Sequence, residues 1–253
     1  MITTQRRIIV CVTAFTYAVI LCVSCSPQTV FQHDTMANTS STNNSLSHTG
    51  IEGIFQYTII AEEVRIDYVT PSDGEITIPK EIHNVVVTEI GTSAFYQNRC
   101  TSVELPSTIR SIQSAAFYRC DNIKEITIPG ETVFIDGNPF FRCSGLSYIH
   151  VRPSNTKYCD IDGVLFDSTG TTLIAYPEGK HETVYKIPEG VTKIADESFG
   201  YNSNLETVIV PKSVVEFPDY NLFDTYEHIN FIVIPGSDAE KYALRCGIPY
   251  STD

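Results

Sequence analysis

Eight cysteines and six histidines carry most of the reactive chemistry available to this 253-residue chain. Cys22 and Cys25 form a CxxC, the spacing used by redox dithiols and zinc ligands. Cys120 in "AFYRC" and Cys143 in "FFRC" each follow an arginine, and a neighbouring cation is what turns a thiol into a nucleophilic thiolate. "DIDGVLFD" places Asp160, Asp162 and Asp167 together, oxygen ligands of the kind calcium takes. None of these completes a site. The aspartates lack a third acidic ligand before the glycine and a distal glutamate, so Asp162-Gly163 reads as a hairpin turn. His33, His48, His83, His150, His181 and His228 share no metal-ligand spacing. Cys120 would need an exposed base beside it. The chain therefore offers no catalytic constellation, and neither a metal nor a cofactor is expected.

The CxxC lies inside an export signal. Arg6 and Arg7 precede an apolar run from Ile8 to Val23, followed by Ser24 and Cys25. Sixteen residues suit a signal core better than a membrane span, which needs about 20. "LCVSC" resembles a bacterial lipobox, which implies cleavage before Cys25 and lipid on its thiol, although Cys22 stands where leucine is usual. Residues 1–24 are then the signal, and 25–50, rich in Ser, Thr and Asn, a flexible tether. Removing the signal takes away two arginines and no acid, so the net charge moves from −13 to −15. So acidic a protein repels a phosphate backbone, which excludes nucleic acid as a partner.

A period answers for Cys120 and Cys143. Counting from Phe117, apolar residues fall at Cys120, Ile123, Ile126 and Ile128, and Pro129 follows. Phe140 repeats this as Cys143, Leu146, Ile149 and Val151, and Phe199 as Asn202, Leu205, Val208, Val210 and Pro211. Phe95, one residue shorter, gives Asn98, Cys100, Val103, Leu105 and Pro106; Phe223 gives Tyr226, Ile229, Ile232, Ile234 and Pro235. Successive phenylalanines are 22, 23, 59 and 24 residues apart, and the long gap holds an insertion over 155–180. A repeat in the twenties is that of a solenoid whose units cannot bury a core alone. "ITIP", "VELP" and "VIVP" alternate as half-buried strands closed by proline. Asn and Cys alternate three residues after the phenylalanine because either can donate to an inward backbone carbonyl. They share no catalytic chemistry.

The skeleton "IxxxAFxxCxxLxxIxIP" resembles the BspA-like, or treponemal, class of bacterial leucine-rich repeats. "ITIPKEIHNVVVTEIGTSAF" (76–95) is similar to that family's opening unit, "CDIDGVLFDSTGTTLIAYPEGK" (159–180) to its hairpin-bearing rung, and "GSDAEKYALRCGIP" (236–249) to its closing helix. The resemblance implies an α/β fold: a right-handed leucine-rich repeat solenoid, with a parallel β-sheet on the concave face and short helical turns and loops opposite. It also implies a secreted or surface-anchored protein, several members of the class being adhesins for host matrix or other microbes.

The expected organisation is an N-terminal cap and first strand over 51–89, repeats over 90–235 with all "IxIP" strands in one sheet, and a C-terminal cap over 236–253. Residues eight and ten after each phenylalanine point outward from the strands. They read Glu125 and Thr127, Tyr148 and His150, Thr207 and Ile209, Phe231 and Val233, so polarity falls towards the C-terminal rungs. Tyr148, His150, Ile209, Phe231 and Val233 are the candidate contacts for a protein or glycan partner, unless the closing segment folds over Phe231 and Val233. The expected molecule is a monomer anchored to a membrane by lipid at Cys25, at the cell surface or outer membrane. The alternative function is an envelope spacer that binds nothing.

Overall fold

The computed structural model describes residues 47–219, 222 and 229–252. The signal, Cys25 and most of the tether lie outside these residues. The chain enters through an antiparallel meander of β1 (His48–Glu52), β2 (Phe55–Ile60) and β3 (Glu63–Val69). Its first strand starts three residues before the cap read from the sequence. Alternation drives the pairing, with Phe55 and Tyr57 on β2 and Val64 and Ile66 on β3 turned into the core.

After β4 (Gly74–Thr77), a tight hairpin joins β5 (Glu81–Ile82) to β6 (Val85–Ile90). Its turn residues His83 and Asn84 have φ of 52° and 64°, the left-handed pair that matches strand twist. The regular rungs then supply β7 (Cys100–Glu104), β8 (Ser111–Ile112), β9 (Glu125–Ile128), β10 (Phe134–Ile135) and β11 (Tyr148–Val151). The insertion folds as β12 (Tyr158–Ile161), β13 (Val164–Asp167) and β14 (Thr172–Ala175). Rungs resume with β15 (Val184–Lys186), β16 (Lys193–Ile194), β17 (Thr207–Ile209) and β18 (Asn230–Val233). Helix α1 (Asp238–Cys246) and β19 (Tyr250–Thr252) close the chain.

Rungs bond to one another along three sides, although on the first of these β7 and β9 do not pair with each other, and β4–β7 and β9–β11 form separate pairs. One side is the "IxIP" column, pairing β4 with β7, β9 with β11, and β15, β17, β18 and β19 in series, all parallel. A second column runs β3, β6, β8, β10, and again β14, β16. On the third side the segments around the phenylalanines bond rung to rung: Phe95 N–H donates to the Ala116 carbonyl (2.7 Å) and Phe117 N–H to that of Pro139 (2.8 Å). The rings stack accordingly, Phe95 on Phe117 at 4.8 Å and Phe117 on Phe140 at 5.6 Å.

The architecture is thus a β-solenoid of about eight turns with helix at 5% of residues. The expected short helical turns are not helices. Single turns close, as from Cys120 N–H to the Phe117 carbonyl (3.1 Å), but Ser93, Gln97, Ala115, Arg119, Arg142 and Glu197 adopt positive φ between 54° and 61°, which stops them from propagating into a helix. Among the described residues α1 is the one α-helix, capped by Ser237, which accepts from Glu240 N–H, and ended by left-handed Gly247.

The strand face is not one sheet. Between β11 and β15 the insertion takes a rung's place: Ile149 N–H donates to the Gly163 carbonyl (3.0 Å) and Gly179 N–H to that of Leu146 (2.7 Å). Val164, Leu165 and Phe166 of β13 are all buried. Leu165 joins the core of the N-terminal rungs, whereas Val164 and Phe166 join that of the C-terminal rungs. The hairpin is a septum between two aliphatic cores.

Candidate functional site: the strand face

Outward positions follow from strand pairing. Glu75 lies beside Ser102 and Thr77 beside Glu104. Tyr148 lies beside Glu125 and His150 beside Thr127. Beyond the septum Thr207 pairs with Asn230, Val208 with Phe231 and Ile209 with Ile232. Val208 is fully buried, and so its neighbour Phe231 is inward too.

This corrects two of the candidate contacts. Phe231 and Val233 are core residues, 0% and 1% exposed. Phe223, the aromatic, sets the register read from sequence for this rung. Leu222, buried and 23 residues after Phe199, fits the interval that also separates Val208 from Phe231 and Ile194 from Phe217. Sliding a strand by one residue exchanges its faces. The outward residues of the last rung are therefore Asn230, Ile232 and Ile234, and the unbroken interval of 23 from Ile209 to Ile232 was the signal that marked them.

Tyr148 and His150 do point outward, each half-buried, with ring centroids 4.4 Å apart. His150 Nε2 lies 3.2 Å from a Glu125 carboxylate oxygen. Beneath Tyr148 runs the hairpin turn, where Gly163 (φ 76°) leaves room for the ring: a β-carbon there would come within 2.6 Å of it. Lys180, 9% exposed in its side chain, donates to the Asp162 carbonyl (2.9 Å), pairs with Glu182 (3.3 Å) and sits 5.8 Å over the Tyr148 ring. The turn read from Asp162-Gly163 thus supports one side of the candidate surface. Ile209 is half-buried and lies across the septum, so the structure does not bring it against Tyr148 and His150.

The two halves of the face differ in chemistry. Towards the N-terminus a groove of about 650 Å³ is lined by Glu75, Glu104, Glu125 and Glu131 against two cations, Lys80 and Arg152. Towards the C-terminus a smaller groove of about 270 Å³ is lined by Ile209, Ile232 and Ile234 beside Lys186, Glu189 and Lys212. Val184, on the same strand column, is 52% exposed.

Cys120 and Cys143, which suggested thiol chemistry, are interior. The Cys120 thiol donates to the Phe95 carbonyl (3.1 Å) and the Cys143 thiol to that of Phe117 (2.9 Å). Asn98 and Asn202 fill the same place: Asn202 donates to the carbonyls of Pro177 and Glu178 and accepts from Asn204 and Leu205 N–H. The hydrogen bond to Cys120 and then burial push the Cys100 thiol up. Cys120 is also raised: the pull downward from Cys100 is outweighed by the bond to Cys143 and by burial. Such thiols stay protonated and are poor nucleophiles. Asp167, the hairpin acid, is held below the usual carboxylate range. Burial alone would raise it, but hydrogen bonds from Thr169, Thr171 and Thr172 prevail. That is an Asx-type turn. Among the described residues no group of three or more His, Cys, Asp or Glu is placed to hold a metal ion, and no helix is long and apolar enough to cross a membrane.

Comparison with solved structures returns bacterial leucine-rich repeat proteins of low identity. A leucine-rich repeat protein from Eubacterium ventriosum is 18% identical over 75% of this chain and 66% of its own, just under two thirds, at a TM-score of 0.45. A leucine-rich cell surface protein from Faecalibacterium prausnitzii is 19% identical over 83% of this chain and 96% of its own, at 0.36. The T. pallidum leucine-rich repeat protein is 17% identical over 81% and 98%, at 0.36. No curated protein sequence matches the chain. Residues 74–184 and 178–244 match the BspA type leucine rich repeat region in 6 copies. That match spans well over half of the sequence, and the chain belongs to the BspA-type leucine-rich repeat family.

Proposed function

We propose that this protein is displayed on the cell surface, anchored by lipid at Cys25, and that its strand face holds a protein partner in an adhesive contact. The observation that carries the reading is the exposure of aliphatic side chains where a solvated strand would carry Thr, Lys or Glu. Val184 and Ile234 are 52% and 39% exposed, and half-buried Ile209 and Ile232 lie between them. Because these side chains are already about half buried, leaving the rest in water forfeits roughly 1 kcal/mol per side chain that full burial would return. Partner contact recovers it. Tyr148 and His150 extend the surface across the septum with the side-chain types that anchor interfaces. Family membership supports a protein-binding rather than catalytic role, and the buried, protonated thiols support the same reading.

The test is capture from matrix and bacterial-surface extracts by the mature protein, compared with Ile209→Asp and Tyr148→Ala variants whose circular dichroism and melting match the parent. Capture lost in the variants supports the reading. Equal capture by all three moves binding off this face, and no capture by the parent favours a spacer.

A further inference from the structure

We infer that the partner's docking segment is a polypeptide stretch cationic at one end and aliphatic at the other, laid along the solenoid axis across both halves of the strand face; this rests on the proposal that the face binds protein. Glu75 and Glu131 make no side-chain hydrogen bond or ion pair among the described residues, and Glu104 accepts one long bond, from Thr77 at 3.4 Å. Glu125 faces His150 at 3.2 Å, and with Lys80 and Arg152 the only fixed cations lining the groove among the described residues, the four carboxylates remain in excess. Rungs spaced about 4.8 Å apart put these carboxylates within about one Debye length of their neighbours, so their repulsions add and a cationic segment relieves them. Such a row governs how fast a partner of opposite charge arrives and in which direction it lies. The C-terminal groove offers the complement: apolar area from Ile209, Ile232 and Ile234, with Lys186 and Lys212 against Glu189 giving no net anionic pull on a cationic end.

Length and composition narrow the occupant. From β4 to β18 the face crosses about seven rung spacings, roughly 34 Å, which an extended segment of about ten residues spans. Residues 26–46 of this chain contain neither Lys nor Arg and so cannot satisfy the carboxylates. A second copy turned end for end would lay Ile209, Ile232 and Ile234 over Glu75, Glu104 and Glu125, taking charge out of water against hydrocarbon. A separate protein segment with both chemistries meets neither obstacle.

The experiment uses the full mature chain and fluorescein-labelled peptides of about 12 residues. One carries alternating Lys and Thr followed by alternating Ile and Thr; in the other, Glu replaces each Lys. Fluorescence anisotropy should show the Lys peptide binding at least about tenfold more tightly than the Glu peptide, with a preference that shrinks as salt rises. Glu75→Lys/Glu104→Lys/Glu125→Lys should reverse that preference, and Ile232→Thr should weaken both peptides. All variants are surface changes, and melting curves confirm their fold. Equal binding of the two peptides, or an unaltered preference in the triple variant, refutes the inference. So does sedimentation showing that the chain self-associates through these residues. If Ile209→Asp abolishes extract capture while the peptides bind equally, the partner chemistry is wrong and the face reading stands. If the parent captures nothing, the face reading itself falls.

Discussion

The inward donor three residues after each phenylalanine yields a prediction that can be worked through. Asn202, 2% exposed, makes four side-chain hydrogen bonds: to the carbonyls of Pro177 (3.2 Å) and Glu178 (3.1 Å), and from Asn204 N–H (3.0 Å) and Leu205 N–H (2.8 Å). Alanine deletes all four and leaves buried backbone groups without partners. At about 1 kcal/mol net per bond, less some relaxation, Asn202→Ala should cost about 3 kcal/mol. Cysteine keeps one donor, as Cys120 does towards the Phe95 carbonyl, so Asn202→Cys should cost about 2 kcal/mol. Cys120→Ala loses that single bond and should cost about 1 kcal/mol. The chain has no tryptophan, so urea unfolding is best followed by far-ultraviolet circular dichroism, with linear extrapolation at constant slope. The reasoning fails if Cys120→Ala is as damaging as Asn202→Ala, or if cysteine at 202 is no better than alanine. Either result would mean that this position serves volume and not backbone hydrogen bonding.

Thiol chemistry gives a second test: Cys100, Cys120 and Cys143 should resist iodoacetamide in native protein and react in urea. Because Cys100 and Cys120 are raised in the fold above the ordinary 9.0, their contribution is full below that pH and is lost as pH rises beyond it, so melting temperature should fall in alkali and fall less in Cys100→Ala/Cys120→Ala. Phe231→Ala should cost about 3–5 kcal/mol, whereas Ile232→Ala, one residue along and outward, should cost about 1 kcal/mol or less; equal costs would contradict the pairing of Val208 with Phe231. Cys25→Ser should release the protein from membranes in fractionation, and retention would point to an uncleaved Ile8–Val23 segment as the anchor.

What could be read from the chain was whatever the period repeats. Phe95, Phe117, Phe140 and Phe199 stack or pack where their spacing put them, and Cys120 and Asn202 donate inward because small donors recur at one place. The last rung was misread because an aromatic outranked a leucine as anchor. With period-two strands a slip of one residue inverts a whole face, so Phe231 and Val233 were assigned to the surface and Ile232 to the core. The absence of helix from the described rungs was not legible, since positive φ falls on Ser93, Ala115, Arg119 and Arg142, residue types that carry no glycine-like mark of a left-handed turn. The second strand column was hidden as well. It shows in sequence only as pairs such as Ser111-Ile112, too short for alternation to register. Of the candidate surface, Tyr148, His150 and Ile209 could be placed outward from sequence, but not the septum that separates them.

That septum bears on how such a chain lengthens in evolution. A rung within either block meets two neighbours much like itself, so copying or deleting 23 residues there restores the contacts it breaks. β13 has no such interchangeability: Leu165 is moulded to one set of neighbours while Val164 and Phe166 are moulded to another. Duplicating it would set a strand hydrophobic on both sides against a copy with nothing to receive it. Removing it would join two stacks whose ends were never fitted to each other. Gain or loss of whole rungs should therefore be tolerated on either side of the hairpin rung and resisted at it.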